Sequence, residues 1–194
     1  LGEVTIAPPG KHNVYNALAA VCVGMELDIR FSEIQKALAA YQGVQRRMQF
    51  KGSVNGITVV DDYGHHPTEI RATLEAIKEA WPEKRLVVLF QPHRYSRTEA
   101  LFGEFKTCFH RADYLVMTKI YAASEQPLPG ISAEKLLAET KQHGQRYTLY
   151  IDELADIPVK VQDILQENDL VLTLGAGNIV DVGEELPKTM QNTD

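Results

Sequence analysis

Cysteine is scarce in this chain: Cys22 and Cys108 are the only 2 in 194 residues, both inside predicted helices among apolar neighbours. That excludes a disulfide-stapled scaffold and reads as two buried thiols in a reducing compartment. Positive charge is short as well. Asp and Glu number 26 against 20 Lys and Arg, a formal net charge of −6, so the basic stripe of a nucleic-acid surface is missing. A small anionic ligand stays open, because one local cluster of Arg and His suffices to bind it. There is no signal peptide and no apolar run long enough to span a membrane, so the expectation is a cytoplasmic protein without a membrane partner. No initiator methionine precedes Leu1. This points to a piece of a longer chain, although processing would look the same.

What is present is a globular composition, with 44% hydrophobic residues. Residues 1–42 read as strand, helix, helix. The strand is Val4-Thr5-Ile6, and a helix over about 12–25 puts Val14, Leu18, Val21 and Met25 on one stripe. The next helix opens with the capping box Ser32-Glu33-Ile34-Gln35, buries Ile34, Leu38 and Tyr41, and ends at Gln42-Gly43. From Val44 onward strands and helices alternate. A hairpin over 50–60 turns at Asn55-Gly56, a strong turn pair, and a helix follows from Pro67 with Ile70, Leu74, Ile77 and Trp81 on its core face. Strands at 86–90, 114–118, 147–151 and 170–174 then alternate with helices at 97–111, 132–143, near 158–166 and from about Ile179. Continuous apolar strands such as Leu-Val-Val-Leu-Phe suit a mostly parallel sheet covered on both faces. The expected fold is therefore α/β, a mostly parallel sheet flanked by helices.

Two polar islands follow such strands directly. One is Asp61-Asp62-Tyr63-Gly64-His65-His66-Pro67; the other is Gln91-Pro92-His93-Arg94-Tyr95-Ser96-Arg97-Thr98. Ligands of open α/β sheets bind outside the carboxyl ends of the strands, where both islands fall. Carboxylate and imidazole invite a metal site, but adjacent residues in extended chain point to opposite faces, so no tight metal site is expected. Turn chemistry accounts for part of the first island: one Asp bonds a turn and His66 caps the following helix. In the second, the capping box Ser96-Arg97-Thr98-Glu99 starts a helix near Ser96. Arg97 then opposes the helix dipole at a cost of about 0.3–1 kcal/mol. Taken singly, an Arg more often pairs with an acid on a neighbouring element. The cluster of His93, Arg94 and Arg97 favours an anion, which an Arg fork binds bidentately.

Other signals fix less. Gly175-Ala176-Gly177-Asn178 starts like a dinucleotide fingerprint, but the third glycine would fall at Val180, and a tight strand-to-helix turn explains it. Lys119-Ile120-Tyr121-Ala122-Ala123 ends a strand with no role fixed by its spacing. His12 and Asn16 share one face of a first helical turn, where an Asn amide could read adenine or simply be solvated.

Taken together these motifs resemble the Mur ligase family, ATP-dependent enzymes that build the peptide of bacterial cell-wall precursors. The resemblance rests on Gly10-Lys11-His12-Asn13-Val14-Tyr15-Asn16-Ala17-Leu18-Ala19-Ala20, on Gly43-Val44-Gln45-Arg46-Arg47-Met48-Gln49, and on residues 61–69 and 90–98, with support from 119–123 and 175–179. It covers essentially the whole chain, and the two islands are specific to the alanine-adding member. It implies a division into residues 1–42, the strand-helix-helix end of a central ATPase domain, and 43–194, a C-terminal Rossmann-like domain for the amino acid. The family's phosphate loop, its metal-binding Glu and His and its carbamylated Lys lie outside this sequence. So ATP and Mg2+ would serve the full-length enzyme, neither held tightly by this chain, and the chain alone would be inactive.

The implied reaction phosphorylates the carboxylate of UDP-N-acetylmuramate with ATP and lets the amine of L-alanine attack the acyl phosphate. UDP-N-acetylmuramate would be bound mainly by other domains. The resemblance assigns His12 and Asn16, with Asn13 in the same motif, to adenine, Arg47 to the terminal phosphate and Asp62 to the ribose. Arg94 and Arg97 would clamp the alanine carboxylate, with Tyr63, His65 and His93 lining the pocket; Arg47, His65, Arg94 and Arg97 are the expected catalytic set. Two departures stand out: Met48 replaces a more usual Phe, and Ser124 stands where Gly is common. The competing readings are a stand-alone module for a small carboxylate or nucleotide, and a metal-dependent hydrolase built on the Asp/His island.

Overall fold

Five-residue runs of Leu, Val and Phe offer water no polar face, so they must be covered on both sides. The computed structural model, which describes residues 2–41 and 43–191, arranges them so. Its elements are α1 (Lys11–Glu26), α2 (Phe31–Ala40), β1 (Gln49–Val54), β2 (Ile57–Asp62), α3 (Pro67–Ala80), β3 (Leu86–Phe90), α4 (Tyr95–Ala100), α5 (Phe102–Phe105), β4 (Tyr114–Met117), α6 (Ala133–Gln142), β5 (Thr148–Tyr150), α7 (Ile157–Lys160), β6 (Leu170–Leu174) and α8 (Ile179–Gln191). The six-stranded sheet has the order β1-β2-β6-β3-β4-β5. β1 is antiparallel to β2 across the Asn55-Gly56 turn, and the other pairs are parallel.

Alternation along each strand divides the core in two. Leu86, Val88, Phe90, Leu115, Met117, Leu170 and Leu172 pack with Ile70, Leu74 and Ile77 of α3 and with Phe105, Phe109 and Leu136. Val87, Leu89, Val116 and Val171 pack on the other face against Ile157, Ile179, Val182 and Leu186. The register sets Asp62 beside Leu174, Leu174 beside Phe90, and Phe90 beside Met117. The carboxyl ends of β2, β6, β3 and β4 therefore form one line, and β6 lies between the strands that carry the two islands.

Several expectations change. Val4-Thr5-Ile6 is not a strand, because no described strand pairs with it. Ser32 does not cap α2, whose N-cap is Arg30 with no side-chain bond. The helix expected over 97–111 is two short pieces, with Gly103 in the second and turns after it; a mid-helix glycine costs about 0.5–1 kcal/mol. The one near 158–166 is a chain of short turns from Leu154 to Asp163, with Pro158 in the first turn of α7. Leu1 and Gln42, and with Gln42 part of the expected end of α2, lie outside the described residues.

The N-terminal helices are thinly covered. On α1 only Val21 and Gly24 are buried, whereas Val14, Leu18 and Met25 of the expected stripe are exposed. Cys22 is exposed too, against the expectation of two buried thiols, and Cys108 is buried. Tyr41 is exposed rather than buried. The reason is shared: their neighbours within the described chain do not close over them.

Phe90→Ala, which empties a fully buried site against Phe105 and Phe109, is expected to lower the unfolding free energy by about 3–5 kcal/mol. Val14→Ala, on the uncovered face of α1, should change it by less than about 0.5 kcal/mol. Urea denaturation of both variants checks the pair.

Candidate functional site

Asp61 and Asp62 end β2 on opposite faces, as the pleat requires. Both are buried. Asp61 accepts from Thr173 Oγ1 at 2.7 Å and from Arg46 Nε at 3.1 Å. The Arg46 guanidinium also donates to the Gly175 carbonyl at 2.6 Å and lies 5.0 Å from the Tyr63 ring centre. Asp62 accepts from Gly64 N (2.8 Å), Thr73 Oγ1 (3.2 Å) and Met48 N (3.0 Å). Burial raises its pKa, against the pull of these bonds and of the Arg47 charge. The adjacent carboxylates thus stitch residues 46–48 to the strand ends. Their oxygens are already engaged, and among the described residues no group of three or more His, Cys, Asp or Glu could hold a metal ion.

Arg47 is thereby aimed into a cleft of about 450 Å³ between the N-terminal helices and α3. Its walls include all five residues expected at the nucleotide: His12, Asn13, Asn16, Arg47 and Asp62. Asn13 Nδ2 is bound to the Pro9 carbonyl at 2.7 Å, so it braces the start of α1. Asn16 has one long contact, to Asn13 Oδ1 at 3.5 Å, and His12 is exposed. Asp62 has only its remaining acceptor capacity to offer a ribose.

The other five expected residues gather beyond the ends of β2 and β3. His65 and His93 have ring centres 5.9 Å apart, and Tyr63 meets His65 edge-on at 5.3 Å. Arg97 Nη1 donates to His93 Nδ1 at 3.0 Å. Burial first, then the charges of Arg97, His65 and Arg94, lower the His93 pKa below the usual imidazole range. The arginines at 30, 46, 47, 71, 85 and 111 each have a carboxylate within ion-pair distance. Among the described residues Arg94 and Arg97 have none, so the bland pairing expected of a single Arg does not occur. His66 caps α3 as expected, its Nδ1 accepting from Thr68 N at 3.2 Å.

Ser96 does not cap α4. The N-cap is Arg94, at φ 72°, and the Ser96 hydroxyl and amide both donate to Glu125, at 2.6 and 3.0 Å. Arg97 still lies in the first turn. Sequence reasoning missed Tyr121, which stacks on His93 at 5.4 Å and exchanges backbone bonds with Pro92 and Arg94. It also gave Arg46 no role of its own. A paired Arg-Arg beside a paired Asp-Asp was the available signal: one partner of each pair anchors the other. Gly177 lies so close to Gln91 and Tyr121 that a Cβ there would overlap both, and one at Gly175, φ 148°, would meet the Gln91 carbonyl at 2.7 Å. The glycines serve a tight turn, as expected. Ser124 sits at φ 70°, the region glycine favours.

Glu69 joins the two groups. It accepts from His65 N (3.1 Å) and His66 N (3.2 Å) and lies 3.7 Å from Arg47. Burial pushes its pKa up, but the two amides and the charges of His65 and Arg47 outweigh this and hold it below the usual range.

A family model described as "Mur ligase, glutamate ligase domain" matches residues 46–177. The UDP-N-acetylmuramate–L-alanine ligase of Desulfotalea psychrophila is 67% identical over 186 residues, 96% of this chain and 40% of that protein. The enzyme of that name from Geobacter sulfurreducens is 59% identical over 184 residues, 95% of this chain and 40% of its own length. The chain thus spans about two-fifths of the curated relatives it matches. The solved UDP-N-acetylmuramate–alanine ligase of Thermotoga maritima superposes with a TM-score of 0.83 at 28% identity, covering 100% of this chain and 41% of that one.

Because the folded pKa of Glu69 is lowered, it contributes stability that is present above the unfolded value and lost as pH falls through the folded one. Relative to Glu69→Gln, the wild type should therefore lose stability between about pH 6 and pH 3, the window around an ordinary glutamate. Urea midpoints across that window check it; a constant difference between the two proteins would contradict it.

Proposed function

This chain belongs to the Mur ligase family, and from that premise we propose that it supplies the amino-acid-binding part of an ATP-dependent ligase joining L-alanine to the carboxylate of UDP-N-acetylmuramate. Residues 43–194 act as the amino-acid domain and residues 1–42 as the end of the central ATP-binding domain. The relatives of that name support the reading, with identities of 51–67% over nearly the whole chain. The observation that carries it is the pair Arg94 and Arg97 beyond the end of β3: among the described residues neither has a carboxylate within ion-pair distance, whereas the arginines at 30, 46, 47, 71, 85 and 111 do, and the exposed Arg146, which has none either, lies before β5 at the other end of the sheet.

Two guanidinium groups at one strand end bind a carboxylate by charge-assisted, bidentate bonds. Holding the carboxylate fixes where the α-amine points, and orientation supplies much of the acceleration of amide formation. Tyr63, His65 and His93 form the pocket wall. In the neighbouring cleft His12 and Asn16 face the adenine, Arg47 approaches the terminal phosphate and Asp62 the ribose. ATP first phosphorylates the muramate carboxylate; the amine then displaces phosphate from the acyl phosphate. Mg2+ would serve with ATP in the full-length protein; among the described residues the two strand-end carboxylates are already bonded to Arg46, Thr173, Thr73 and backbone amides. UDP-N-acetylmuramate is bound mainly by parts of the protein outside this chain, and the uncovered apolar face of α1 is packed there too. No helix among the described residues is long and apolar enough to cross a membrane, and the nucleotide substrates assign the reaction to the cytoplasm.

In the full-length protein, Arg94→Ala and Arg97→Ala should each raise the KM for L-alanine about 10- to 100-fold, the loss of one charged hydrogen bond of about 1.5–3 kcal/mol. Unchanged alanine kinetics in both would contradict the assignment. Asn16→Ala should raise the KM for ATP and leave that for alanine alone, by initial-rate measurements.

A further inference from the structure

An amino acid arrives with a protonated amine, which cannot attack an acyl phosphate until a base takes a proton. The pocket holds two imidazoles, and the hydrogen bonds give them different tautomers. Arg97 can only donate, so His93 Nδ1, 3.0 Å from Arg97 Nη1, is an acceptor. In the neutral ring its proton is then on Nε2, and its one basic lone pair is tied to Arg97. His65 is the reverse case. A carbonyl oxygen can only accept, so His65 Nδ1, 3.1 Å from the Tyr63 carbonyl, carries the proton. Glu69 lies 3.5 Å from the same Nδ1. The free lone pair of His65 is on Nε2, while the carbonyl and the carboxylate hold the ring in place from the other nitrogen.

We propose that His65, through Nε2, is the general base that deprotonates the incoming amine. The inference rests on the reading of Arg94 and Arg97 as the clamp for the alanine carboxylate. Its geometric basis is the orientation of His65 by Tyr63 and Glu69 beside that clamp, with His93 engaged by Arg97. An N–H bond of the ammonium breaks and an Nε2–H bond forms. The freed nitrogen pair attacks the acyl carbon, a C–N bond forms, the bond from that carbon to the phosphate oxygen breaks, and its electron pair leaves with phosphate. The leaving phosphate accepts the second proton, which the nitrogen sheds on becoming an amide. Glu69 supplies the countercharge while His65 is an imidazolium. The side chain is 20% exposed, so the imidazolium returns its proton to water. Arg94 and Arg97, the cations of the clamp, favour an unprotonated amine beside them.

The test uses the full-length protein with two nucleophiles. L-alanine needs a base; hydroxylamine, unprotonated at neutral pH and lacking a carboxylate, needs neither base nor clamp and reports acyl-phosphate formation as hydroxamate. His65→Asn keeps a donor for the Tyr63 carbonyl and removes the base. At saturating alanine its turnover should fall on the order of a hundredfold, and the ratio of hydroxamate to alanyl product should rise by a similar factor. Added imidazole should restore part of the alanine turnover of His65→Ala, which a merely structural side chain would not allow. Wild-type alanine turnover in His65→Asn would overturn the proposal. So would an equal loss with both nucleophiles that imidazole does not relieve. Absence of ATP-dependent alanine coupling in the wild-type protein would instead overturn the reaction itself, and is read before any variant.

Discussion

Two carboxylates at adjacent positions of one strand cannot face the same side, and the site depends on that constraint. Asp61 turns to Arg46 and Thr173, Asp62 to Met48, Gly64 and Thr73. Between them they fasten the segment before β1 onto the ends of β2 and β6. Buried carboxylates are tolerated only when bonded in this way, and removing one partner of such a pair costs about 3–5 kcal/mol. The consequence is positional: with Arg46 and Met48 fixed on either side, Arg47 projects into the cleft between the N-terminal helices and α3.

The aligned strand ends then make two half-sites into neighbours. Phe90 is in register with Leu174, and Leu174 with Asp62, so the segment that carries Arg94 and Arg97 into α4 and the Tyr63–His65 loop leave the sheet on either side of the turn at Gly175. Gly175 and Gly177 let the chain pass close to Gln91 and Tyr121, where a side chain would collide. Glu69 lies between the half-sites, bonded to the His65 amide and near the Arg47 guanidinium.

Much of this was legible in the sequence, and the exceptions have physical causes. Strands 86–90 and 170–174 were read to the residue because an unbroken apolar run has one way to be buried. Pro67 and His66 marked the start of α3 because the cap is local. Ser96 misled because a hydroxyl at capping distance can also serve a distant partner, and Glu125 is that partner. Cys22 and Tyr41 misled because helical spacing shows which face is apolar, not whether anything covers it. Tyr121 stood in a strand-end stretch with no role readable, because stacking on His93 joins residues from different strand ends. The cluster of cations was readable for the opposite reason: His93, Arg94 and Arg97 are close in sequence at one strand end, and among the described residues no carboxylate lies within ion-pair distance of Arg94 or Arg97.

The central claim is that these two guanidinium groups hold the amino-acid carboxylate and so aim the amine. A crystal structure of the full-length protein with L-alanine and a non-hydrolysable ATP analogue tests it most directly. The account predicts the alanine carboxylate within hydrogen-bonding distance of both Arg94 and Arg97, with its nitrogen on the side of His65. Alanine bound elsewhere, with Arg94 and Arg97 turned to carboxylates of the protein itself, would contradict it.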